Sequence, residues 1–240
     1  MSNLIGKTVL VTGAARRVGK MFALACGRAG ADVILHHGHS PEEAESLRDE
    51  IASFGRSAWA LTCDLSQPDS VSQLITQANE ISPLYALVNS ASIFENLSFQ
   101  ETSLEDWEKH FAINLTAPFL LSQAFAKQTT HGRIVNILDW RALRPGADHF
   151  PYTITKSALA AMTKSLAVTL APNIIVNGLA LGAILPPADS PSAKDKIIEN
   201  VPAQRWAEAN EVEEALLFLL TGPAYITGEI IHVDGGRHLI

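Results

Sequence analysis

The chain has 240 residues, 47% of them hydrophobic and 18% charged, with a formal net charge of −7 and two cysteines. That is enough apolar material for one large core, and it excludes a disordered chain. The negative balance leaves no general basic field to draw in a nucleic-acid backbone or an anionic membrane surface, so neither is expected as a partner.

From Lys7 onward, short apolar runs rich in β-branched residues alternate with longer helical patterns. The runs are Lys7–Thr12, Asp32–His36, Ser57–Thr62, Leu84–Asn89, Arg133–Leu138, Ile174–Asn177 and Glu229–Val233. Between them lie helical patterns near Val18–Ala29, Pro41–Phe54, Pro68–Ile81, Leu104–Lys127, Tyr152–Leu170 and Glu211–Leu220. Such alternation predicts successive βαβ units in an α/β fold. Over residues 1–240 we expect a single domain: a Rossmann-type, doubly wound parallel sheet of about seven strands, with helices on both faces. The strands are almost continuously apolar because helices cover both sides. Cys26 and Cys63 sit in apolar patterns as small buried thiols, which suits a reducing compartment. No run approaches ~18 uninterrupted apolar residues. The first residues also lack the basic start and apolar centre of a secretory signal, so a cytoplasmic location is expected.

After the first strand comes Thr12-Gly13-Ala14-Ala15-Arg16-Arg17-Val18-Gly19, and a helical pattern follows at once. Glycines in that place let backbone N–H groups and the positive helix end approach a pyrophosphate, so Gly13, Arg16, Arg17, Val18 and Gly19 are expected at a dinucleotide. The second strand ends Leu35-His36-His37-Gly38-His39-Ser40 without the carboxylate that would hold a ribose 2′-hydroxyl. Arg16 and Arg17, with His37, His39 and Ser40, suit a 2′-phosphate instead, and NADPH is the expected cofactor. Ser40 before Pro41 also has the look of a helix cap. The three imidazoles suggest a metal, but no Cys or carboxylate completes a set and strand neighbours point to opposite faces, so none is expected. Asp64 after the third strand either accepts a bond from the adenine amino group or caps a helix.

Asn89 ends the fourth strand and Asn114 lies midway along a long helical pattern, each a polar residue in an apolar setting. Either they are packed and satisfied by backbone, or they serve the site. Asp139 ends the fifth strand and is either a turn aspartate or a carboxyl group beside the reaction. Tyr152 and Lys156 start the next helix one turn apart, on one face, where the ammonium is expected to lower the phenol's pKa and ready it for proton transfer. Gly182–Arg205, with Pro186, Pro187 and Pro191, is a long excursion: a lid or binding element, or a surface insertion.

Together these residues resemble the short-chain dehydrogenase/reductase family from Lys7 to Gly236. The match takes in the Gly turn, Asp64, Asn89-Ser90-Ala91-Ser92, Asn114 and Tyr152-x-x-x-Lys156. It continues through Val176-Asn177, Ile226-Thr227-Gly228 and Val233-Asp234-Gly235-Gly236. The resemblance implies that Tyr152 donates the proton, Lys156 binds the nicotinamide ribose, and Asn114 holds a relay water. It further implies that Asp64 and Leu65, Asn89-Ser90-Ala91 and Gly182 line the cofactor, and that the assembly is a homotetramer formed through the long helices and the C-terminal segment. The sequence departs from the family where it has Arg17 and Ser92 for glycine, Asp139 for serine, and Leu181 for the proline before Gly182. These departures are similar to the pteridine reductase and dihydromonapterin reductase branch. That similarity implies a pterin as the small-molecule substrate, Phe94 stacked on it, and Arg17, Ser92, Asp139 and Tyr152 around it. The expected reaction is hydride transfer to a C=N bond of a dihydropterin or dihydrofolate. A carbonyl reductase, or an inactive NADP-binding regulator, is the alternative.

Overall fold

The computed structural model describes residues 3–186 and 197–240, and it forms one seven-stranded parallel sheet. In chain order the main elements are β1 (Thr8–Val11), α1 (Arg17–Arg28), β2 (Asp32–His37), α2 (Pro41–Ala52), β3 (Ala58–Thr62), α3 (Pro68–Ile81) and β4 (Leu84–Asn89). There follow α4 (Leu104–Phe111), α5 (Ala117–Gln128), β5 (Gly132–Asp139), α6 (Phe150–Leu170), β6 (Ile174–Leu181), α7 (Ala209–Thr221) and β7 (Ile230–Val233).

The spatial order β3-β2-β1-β4-β5-β6-β7 reverses direction between β1 and β4. A crevice opens at such a point, outside the carboxyl ends of the strands. Alternate residues of each strand feed two cores. Val9, Val33, Leu35, Val88, Ile137 and Leu179 meet α1, α2 and α7 on one face. Leu10, Ile34, Leu87, Ile134 and Val176 meet α3, α5 and α6 on the other. The period-2 geometry of a strand makes this division.

The expected elements form, with four differences. The helix predicted over Leu104–Lys127 is two helices separated by one π turn at Ala112–Thr116. Pro118 lacks the N–H that would close an α-helical bond onto Asn114, so the chain widens there. α6 starts two residues earlier than expected, at Phe150, after His149 in a left-handed conformation (φ 50°). β6 runs on to Leu181 because it pairs along its length with β5. Ser40 occupies the N-cap of α2 but its side chain makes no capping bond; Glu42 and Glu43 serve the positive helix end instead. Both cysteines are buried free thiols, and burial pushes Cys26 up to about 12. Among the described residues no helix is long and apolar enough to cross a membrane. Pro187 and Pro191 of the expected excursion lie outside the described residues.

Candidate active site

The carboxyl ends of β1, β4, β5 and β6 bring together most of the residues singled out above. Gly13 turns the chain at φ +64°, and a Cβ there would come 2.9 Å from the Ala91 Cα, so only glycine lets the β1 turn lie against the end of β4. A Cβ on Gly19 would overlap the Gly13 carbonyl oxygen. Thr12 ties the two lips of the crevice by accepting from the Ser90 and Ala91 N–H groups at 2.9 and 3.0 Å. α1 begins with no acidic residue in its first turn and no side-chain cap. Its leading amides and positive end are left for an anion. These features fit a dinucleotide pyrophosphate.

His36 is a buried strut here. Its Nδ1 accepts from the Gly13 N–H at 3.1 Å and its Nε2 contacts the Cys63 carbonyl at 2.9 Å. Serving one acceptor and one donor requires the neutral ring, and burial lowers its pKa to about 4. His37 is also buried, with Nε2 3.1 Å from the Thr62 hydroxyl and Nδ1 accepting from the Ser40 N–H at 3.4 Å, which corrects its expected place facing a cofactor phosphate. His39 is exposed. Among the described residues no cluster suited to a metal is present.

Arg16 is not a free cation: its Nε donates to Glu43 at 2.9 Å, and the two side chains pair. Arg17 stands at φ 50° and reaches the Leu185 and Pro186 carbonyls at 3.4 Å, linking the turn to the segment after β6. Asp64 is exposed and accepts from the Ser66 N–H at 2.9 Å, while Leu65 is buried in the second core, so its side chain does not face the crevice. Gly182 likewise has a structural reason to be glycine: a Cβ would fall 2.6 Å from the Asp234 Cα.

At the reaction end, the Tyr152 hydroxyl donates to Asp139 Oδ2 at 3.1 Å, and the Arg141 N–H donates to Asp139 Oδ1 at 2.9 Å. Burial raises the Asp139 carboxyl above its usual range. Lys156, one turn from Tyr152, donates to the Ile137 carbonyl at 2.8 Å and lies 5.6 Å from the phenol ring centre. Burial lowers its pKa to about 8. The phenol is raised well above its ordinary value by burial and then by Asp139. The expected lowering by Lys156 is therefore overturned, because the ammonium is spent on a carbonyl while a carboxyl group faces the hydroxyl.

Asn114, on the π turn, is fully occupied. Its Oδ1 accepts from the Ile93 N–H and the Ser92 hydroxyl at 2.9 and 3.1 Å, and its Nδ2 donates to the Ile93 carbonyl at 3.0 Å. Its side chain holds the 92–93 strip in place, leaving no side-chain atom free for a relay water. Asn89 donates to Asn136 Oδ1 at 2.8 Å, and Asn136 donates to Thr163 at 2.9 Å, a buried polar chain from β4 to α6. Phe94 is 54% exposed, stacks on His149 at 3.9 Å and meets Tyr152 edge-on at 4.7 Å. One face of the ring is thus already covered, which restricts any stacking on a substrate to what remains. His36, Asn136, Arg141 and His149 were not singled out for these roles from the sequence. Only Arg141 carried a usable signal, its place two residues after Asp139.

A family model described as Enoyl-(Acyl carrier protein) reductase matches residues 13–238. A curated relative, the 3-oxoacyl-[acyl-carrier-protein] reductase FabG of Aquifex aeolicus (strain VF5), is 37% identical, over 97% of this chain and 98% of its own. L-rhamnose 1-dehydrogenase (NAD(P)(+)) of Azotobacter vinelandii is 34% identical, over 97% of each chain. Among solved structures, FolM alternative dihydrofolate reductase 1 from Brucella canis, complexed with NADP, superposes with a TM-score of 0.93 at 33% identity, covering 100% of this chain and 97% of that one.

Proposed function

The chain belongs to the short-chain dehydrogenase/reductase family, and from that premise we propose that it is an NADPH-dependent reductase of a C=N bond in a dihydropterin or dihydrofolate. The observation that carries this is the bond from Tyr152 to Asp139 at 3.1 Å. A ketone is ordinarily polarised by a hydroxyl beside the tyrosine, as the family resemblance implies, and an ionised carboxylate does not substitute for it. A ring that offers N–H and amino donors, and that takes up a proton on nitrogen, suits a carboxyl group. The likeness to a dihydrofolate reductase of the same fold supports this choice.

NADPH supplies the hydride when bound. Tyr152, kept protonated by its buried setting, donates its proton to the substrate nitrogen and regains one from water, while Asp139, which accepts from the hydroxyl, orients the phenol. Lys156 holds the strand end at Ile137 and presents its ammonium to the nicotinamide ribose. Gly13, Gly19 and the start of α1 receive the pyrophosphate. Arg17 and Ser92 lie toward the substrate, and Arg16, His39 and Ser40 toward the adenosine end, where Asp64 faces adenine. The active form is a homotetramer joined through α4, α5, α6 and the C-terminal segment.

A carbonyl reductase is the second reading, favoured by the activities for which the 3-oxoacyl and rhamnose relatives are named. NADPH oxidation with dihydrobiopterin, dihydromonapterin, dihydrofolate and a ketone panel separates the two. Wild type should turn over a dihydropterin, and Asp139→Ser should lose about a hundredfold of that rate, within the usual worth of a proton-transfer group. Turnover of ketones alone, or a serine variant with full pterin activity, would reverse the assignment.

A further inference from the structure

Beside the reaction centre, two arginines share one indole. Trp140 follows Asp139 directly, and its ring lies under the Arg141 guanidinium at 4.7 Å and the Arg237 guanidinium at 4.5 Å. Arg141 is already committed. It donates to Asp148 at 2.8 and 3.4 Å, stands 3.7 Å from Asp139, and lies 5.9 Å from the Phe94 ring that touches Tyr152.

Arg237 is different. Among the described residues its guanidinium has neither a hydrogen-bond acceptor nor an ion-pair partner, although the side chain is only partly exposed and a second guanidinium is near. Burial and the Arg141 charge press its pKa down, against the smaller opposing effect of the Asp139, Asp148 and Asp234 charges. A half-buried, unpaired cation beside a like charge is a costly arrangement that an anion would relieve. Nor is the side chain loosely hung: Asp234 accepts from the Gly236 N–H at 2.9 Å, the His238 N–H at 2.8 Å and the His238 ring at 2.8 Å, which fixes the turn that carries Arg237. From Tyr152 the contacts run edge-on to Phe94, then to Arg141, and across the Trp140 ring to the unpaired fork of Arg237.

We propose that Arg237, with Arg141 behind it, receives a carboxylate at the far end of the substrate, so that the preferred substrate is a tailed dihydropterin of the dihydrofolate type. This rests on the pterin reading above and narrows it. A guanidinium fork matches a carboxylate in bidentate geometry.

The test compares KM for dihydrofolate with KM for the tailless dihydromonapterin in wild type, Arg237→Gln and Arg237→Lys. Calorimetry of p-aminobenzoylglutamate, the tail alone, is run alongside on the NADP-loaded protein, so that the cofactor's own phosphates cannot account for the signal. In Arg237→Gln the ratio of the two KM values should rise at least about tenfold, with partial recovery in Arg237→Lys and loss of the tail fragment's binding. A ratio that moves less than about twofold, or a fragment that binds wild type and Arg237→Gln alike, overturns the proposal. If wild type reduces no pterin yet binds the fragment through Arg237, the pterin reading falls and the carboxylate site stands.

Discussion

Lys156 is a buried ammonium held by one carbonyl acceptor and the charge of Asp139, and this has a thermodynamic signature. Its pKa is about 8 in the fold against 10.5 ordinarily, so between those values the unfolded chain carries the extra proton and stability rises with pH. Below pH 8 both states are charged and the desolvation cost is fully present. Lys156→Met should therefore abolish reduction while raising the unfolding free energy by roughly 3 kcal/mol at pH 7. The gain should shrink above pH 8 and vanish near pH 10.5. Urea melts at pH 7 and pH 10 check it, and an equal gain at both would point to packing. At this scale the sequence marks which side chains come together but not their states. Tyr152, Lys156 and Asp139 are visible as a set from spacing and position. That Lys156 turns to Ile137, leaving the phenol to Asp139, depends on where the end of β5 lies in space, which no local pattern encodes.

Among the elements, the β1–α1 turn is held from below by His36, an imidazole that the sequence presents as one of three in a row. Its folded pKa of about 4 lies beneath the ordinary 6.5, so its contribution is whole above pH 6.5 and is lost as pH falls toward 4. Removing it in His36→Ala deletes two buried hydrogen bonds and should cost about 2 kcal/mol at pH 7. The gap to wild type should close at up to about 1.4 kcal/mol per pH unit below pH 6.5 and reverse before pH 4. Denaturant titrations across that range measure it. A constant gap would mean that the ring takes up a proton within the fold. The seven strands were legible because apolar runs bounded by helical patterns are a strong signal. The break between α4 and α5 was not: its cause is a single missing N–H at Pro118 within an otherwise unbroken helical period.

For the molecule as a whole, several large apolar side chains remain outside the core, among them Val168 at 83% exposure on α6, with Phe119 on α5 also exposed. A homotetramer that covers them predicts a sedimenting mass near 103 kDa, four times the 25.8 kDa chain. A concentration-independent species at the chain mass would dismiss the assembly. Val168→Glu should loosen the assembly while leaving the far-ultraviolet circular dichroism intact. Neither composition nor periodicity distinguished apolar residues that face a partner from those that face the core, because both obey the same spacing along a helix. Ala160 is core, whereas Ala161, next in the chain, is exposed.

The contact of Thr12 with Ser90 joins positions 78 residues apart. A nascent or refolding chain can therefore build β1, α1 and β2 locally, yet it has no groove for a dinucleotide until β4 arrives beside β1. The nucleotide then acts as a late clasp: it stabilises only chains that have completed this distant closure, and earlier intermediates gain nothing from its presence.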